Sequence, residues 1–98
     1  MKIYCIYQEV NTEYDSYDSA VVIAESEDAA RRMHPSRYHM KPYHQWNDKT
    51  DMWCWSDSGK KSSGLCTWAT PDNVGVTYLG EAEDGSISHV VCASFNAG

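Results

Sequence analysis

The chain has 98 residues, 42% of them hydrophobic, and a formal charge of −6 from fourteen acids and eight bases. That length suits one domain with one core. No apolar run reaches the roughly 18–20 residues of a membrane span, and an acidic balance lacks the basic footprint that general nucleic-acid binding needs.

The charge is unevenly spread. Residues 3–30 hold seven acids and no Lys or Arg, whereas residues 31–61 hold seven of the eight bases against Asp48, Asp51 and Asp57. Met1-Lys2-Ile3-Tyr4 runs directly into a strand pattern, without the apolar stretch and small-residue cleavage site of a signal peptide. The expectation is a soluble, cytoplasmic protein whose four cysteines stay thiols.

Lys2 to Val10 reads as the first strand, with Ile3, Cys5 and Tyr7 on one face and Tyr4, Ile6 and Val10 on the other. Both faces are apolar, which predicts a central strand covered on both sides. Asn11 to Asp18 links it to the next strand and contains a tripeptide duplication, Tyr14-Asp15-Ser16 and Tyr17-Asp18-Ser19. Val21, Val22 and Ile23 form a β-branched run typical of a buried strand.

A two-turn helix follows. Ser26 is its cap, Glu27 and Asp28 face the positive end of its dipole, Arg31 and Arg32 face the negative end, and Pro35 stops it. So short a helix cannot stand alone in water, and Ala29, Ala30 and Met33 are expected to dock it on a sheet.

Residues 34–70 form an aromatic-rich insertion with no sustained period, holding all four tryptophans. Met52-Trp53-Cys54-Trp55 and Leu65-Cys66-Thr67-Trp68 flank a Gly/Ser/Lys-rich tip and can pair as a hairpin with Cys54 opposite Cys66. Its tryptophan side is expected to roof the sheet face that the helix leaves open. Val74 to Ala82 and His89 to Phe95 read as the last strands, joined as a hairpin through Glu83-Asp84-Gly85-Ser86. The sum over 1–98 is a single α+β domain, β-β-α-excursion-β-β, with an antiparallel sheet of about four strands and one short helix.

Three kinds of chemistry were weighed. His39, His44, Cys54 and Cys66 are competent zinc ligands, but no C-x2-C or H-x3-H pair is present, so a zinc-stabilised module is a minor alternative and neither metal nor cofactor is expected. No cysteine stands in a nucleophile-like context beside a histidine, and no phosphate-binding loop occurs, so no enzyme is expected. Trp53, Trp55 and Trp68 can stack a planar base, which makes a nucleotide-signal-sequestering protein, with its site at an oligomer interface such as that of a homodimer, the alternative function.

The two ends carry a resemblance. Met1-Lys2-Ile3-Tyr4, the run Tyr17 to Val22, and Ser26-Glu27 followed by Ala30 and His34-Pro35 resemble the N-terminal half of small phage and prophage accessory proteins. Tyr78-Leu79-Gly80-Glu81-Ala82 and the run Val91 to Gly98 resemble their ending, while the middle segment does not match. The resemblance implies an accessory phage gene, a class that includes inhibitors of bacterial defence such as anti-CRISPR proteins. It carries over no catalytic residues. The resulting expectation is a non-catalytic inhibitor in the cytoplasm of a host bacterium. It would dock on a host protein or ribonucleoprotein complex through Glu13, Tyr14, Asp15, Tyr17 and Asp18, without touching nucleic acid or membrane directly.

Overall fold

The computed structural model describes residues 1–10, 16–38, 41–62 and 68–96. Among these residues there are six strands and one helix: β1 (Lys2–Tyr7), β2 (Ser16–Ala24), α1 (Glu27–Arg31), β3 (His44–Asn47), β4 (Met52–Trp55), β5 (Gly75–Glu81) and β6 (His89–Asn96). Short 3-10 turns lie at Pro35–Tyr38 and Pro71–Asn73. The α+β class is as the sequence predicts. No helix among the described residues is long and apolar enough to cross a membrane.

The main sheet has the order β5-β1-β2-β6, antiparallel throughout. Strand alternation sorts its residues into two faces. One carries the rows Tyr78–Tyr4–Val22–Val90 and Val76–Ile6–Ala20–Ala93. Ile6 and Val22 are fully buried there, each worth about 1.5–3 kcal/mol of transfer free energy.

Helix α1 docks on this face, against β1, β2 and β5. Ser26 caps it, its Oγ accepting from the Ala29 N–H at 3.2 Å. Arg31 pairs with Glu27 at 2.8 Å one turn back and also donates to the Val74 carbonyl. Ala30 and Met33 are the buried contacts. The 3-10 turn at Pro35–Tyr38 continues the layer over β6.

The insertion differs from expectation in two ways. β4 pairs with β3, which places Cys54 opposite Gln45, and on its other side Cys54 bridges to Lys61. Leu65, Cys66 and Thr67 lie outside the described residues. The β3–β4 hairpin joins the helix layer through a Met33–Gln45 bridge. Trp53 and Trp68 enter the same buried cluster as Tyr4, Ile6 and Val22. Helix and tryptophans therefore cover one face of the sheet together, and among the described residues no part of the insert roofs the back of β1.

The last two strands also depart from the hairpin reading. β5 joins β1 and β6 joins β2, so they form opposite edges. The hairpin between β1 and β2 occupies the centre, and residues 82–88 must cross the end of the sheet. Ser88 is fastened on the way, its carbonyl accepting from Arg37 Nη2 at 3.3 Å.

Candidate functional site

Two regions are candidates: the uncovered sheet face, and a histidine–tryptophan cluster on the covered side.

The uncovered face is read directly from strand register. Its rows are Gly80–Ile3–Ile23–His89, Thr77–Cys5–Val21–Cys92 and Gly75–Tyr7–Ser19–Ser94. None of these positions carries a Lys, Arg, Asp or Glu. Ile3, Cys5, Val21 and Ile23 are half-buried by one another, and Cys92 and Tyr7 are exposed. Register shifts add Leu79 and Val91 to the exposed apolar side chains of the edge strands. Acids stand at the strand ends: Glu9 beyond β1, Asp18 in the irregular start of β2, and Glu25 after it, all exposed. Burial and the neighbouring Cys92 push the Cys5 thiol up, which disfavours its thiolate. One strand, β2, lies between Cys5 and Cys92, which sets them about 9.5 Å apart at ordinary strand spacing, beyond the roughly 7 Å limit for a disulfide.

The cluster is centred on His34. This residue follows α1, its carbonyl accepts from the Arg37 N–H at 3.1 Å, and its Nδ1 accepts from the Ser36 N–H at 3.1 Å. Nδ1 is thereby the acceptor, so the neutral ring carries its hydrogen on Nε2. His34 meets His44 at 4.4 Å between centroids, Trp53 edge-on at 5.1 Å and Tyr17 edge-on at 6.0 Å. Cross-strand pairing of His44 with Trp55 lays those rings in a stack 4.6 Å apart. Burial, with a smaller contribution from His44, pulls His34 down to about 2, and burial lowers His44 as well. Both rings are neutral at neutral pH. Three buried polar atoms here have no hydrogen-bond partner among the described residues: Ser36 Oγ, His44 Nδ1 and Trp68 Nε1.

A cleft of about 290 Å³ opens beside the histidines, lined in part by Met33, Arg37, Tyr43, His44 and Trp46. A wider depression of about 750 Å³ lies on the other side of Arg32. Its charges are largely satisfied internally: Asp48 accepts from Arg32 Nε at 3.1 Å and from Trp46 Nε1 at 3.0 Å.

The residues singled out from sequence meet different fates. Glu13, Tyr14 and Asp15 lie outside the described residues. Tyr17 is 6% exposed and packs on Phe95 at 4.9 Å and on His34. It is a core residue, not a surface anchor, because the register shift between Tyr17 and Ser19 turns its ring inward. Asp18 is exposed and accepts from the Ser19 hydroxyl at 3.1 Å.

Trp53 and Trp68 are buried and Trp55 is half-buried against His44, so the three form no open stacking platform. Of the weighed zinc ligands, His39 and Cys66 lie outside the described residues. His44 and Cys54 occupy non-partnered positions on adjacent strands and point to opposite faces of the hairpin. No group of three His, Cys, Asp or Glu side chains able to hold a metal ion occurs among the described residues.

The chain matches no family model, no curated protein and no solved structure. Its chemistry has to be read from its own geometry. Sequence reasoning missed Arg37, Trp46 and the pairing of His34 with His44. The one available signal was local: His34 sits between Met33 and Pro35, at the end of a buried helix face.

Proposed function

We propose that this chain is a non-catalytic inhibitor that docks on a protein surface of a bacterial host complex through its uncovered sheet face. The carrying observation is the composition of that face, an apolar centre on β1 and β2 (Ile3, Cys5, Val21, Ile23) with no charged side chain in its rows. Exposed acids stand at the ends of the same strands. The occupant with matching chemistry is a basic protein surface bearing an apolar ridge. Acids steer its approach, and desolvation of the aliphatic rows holds it. Host phosphates are repelled by the same acids, so contact is with protein even where the complex contains nucleic acid.

Two further points support a binding role over catalysis. His34 and His44 are neutral and buried, with His34 far from the range in which a general acid or base works at neutral pH. The resemblance of both chain ends to phage accessory proteins supports a host complex as the target. The proposed acidic and aromatic surface is thereby moved from the 11–18 loop, with Glu13, Tyr14, Asp15, Tyr17 and Asp18, to the sheet: Asp18 stays at the end of β2, and Tyr7, 42% exposed, replaces Tyr17.

The test is phage plaquing on a bacterium with an active CRISPR-type defence, with and without the chain expressed. Plaquing should rise with the wild type and return to baseline with Val21→Lys, whose folding is checked by circular dichroism. Undiminished inhibition by a folded Val21→Lys protein, or none by the wild type, would sink the proposal.

A further inference from the structure

We infer that the cleft beside His44 is a binding site for a small planar carboxylate. Its walls supply both halves of such a site. Arg37 contributes the charge: it is half-buried, lies 5.0 Å from the centroid of the Tyr43 ring, and spends one N–H on the Ser88 carbonyl. Neither ion pair found among the described residues involves it. A guanidinium presents five donors in a plane, so its remaining N–H groups can meet a carboxylate fork-to-fork.

His44 closes one wall of the cleft and is 4% exposed.

The remaining walls suit a flat apolar body. Met33 and the Trp46 and Tyr43 rings line the cleft. At about 290 Å³ it falls just below the roughly 300–1,000 Å³ range of small-molecule pockets. That is room for about ten water-sized units, enough for a carboxylate on one small ring and too little for a complete nucleotide. A phosphate dianion fits less well. Of the two guanidiniums lining the cleft, Arg32 is already paired with Asp48, which leaves Arg37 alone to meet the charge. This site is on the covered side of the sheet and does not depend on the docking face.

The test is titration of the full chain with benzoate, followed by tryptophan fluorescence and calorimetry, with benzamide and inorganic phosphate as comparison probes. Benzoate should saturate one site, benzamide should bind at least tenfold more weakly, and phosphate should not compete. Arg37→Met should weaken benzoate at least tenfold with an unchanged circular dichroism spectrum. The benzoate–benzamide comparison needs no variant, so it holds even where Arg37→Met fails to fold. No saturable signal, equal binding of benzamide, or competition by phosphate would each overturn the assignment.

Discussion

Lowering the pH should destabilise this fold through His34, and the size of the loss follows from where the ring sits. The ring is 1% exposed and packed among aromatic neighbours, and its Nδ1 is already committed as an acceptor. In the unfolded chain it takes a proton near 6.5; in the folded chain burial holds that event down to about 2. Between those values the unfolded state binds one proton more than the native state, so stability falls as pH falls. The contribution is complete above about pH 6.5 and is lost progressively toward pH 2.

Each pH unit in that window removes about 1.4 kcal/mol, so acidification to about pH 4.5 removes about 3 kcal/mol through His34 alone. His44 is shifted in the same direction and adds to the loss. Against the ~5–15 kcal/mol that holds a small domain folded, this is a large fraction. Urea unfolding followed by far-ultraviolet circular dichroism at about pH 7.5, 6 and 4.5 measures it as a falling midpoint at constant slope. His34→Phe should flatten that dependence. A folded-state titration of the His34 ring near its ordinary value, seen by NMR, would refute the reasoning, as would a midpoint that does not move.

Two other outcomes follow from local packing. A Cβ on Gly75 would lie 2.2 Å from Tyr7 Cε2, because the Tyr7 ring lies across its cross-strand partner. Gly75→Ala should therefore displace that exposed ring and cost about 1 kcal/mol or less, and the cost should vanish in a Tyr7→Ala background. Additive effects in the double-mutant cycle would contradict the contact. Ser26→Ala removes the side-chain acceptor of the Ala29 N–H from a helix of only five residues. It should lower stability by about 1 kcal/mol in the same urea assay; an unchanged midpoint would mean the cap does not hold α1.

What the amino-acid order determined alone is the part governed by neighbours a few residues apart. The alternation in β1, the β-branched run in β2, the Ser26 cap and the acid-to-base gradient along α1 all act within one turn or one strand and are found where they were read, whereas the helix ends at Arg31, short of Pro35, which opens a 3-10 turn instead. Which segments pair was decided only by tertiary structure, because a strand's backbone groups are satisfied by any antiparallel neighbour. Thus β4 took β3 on one side and a bridge to Lys61 on the other, and β5 and β6 took opposite edges instead of each other.

The same holds for faces. Apolar residues on both sides of β1 were read as a demand for two covers, yet helix and tryptophans share one side, and Ile3 and Cys5 are sheltered mainly by Ile23 and Val21. The two histidines, ten residues apart and on different elements, meet only because the β3–β4 hairpin folds back on the end of the helix. Contacts of that kind depend on how separate surfaces pack, and no local period in the chain records them.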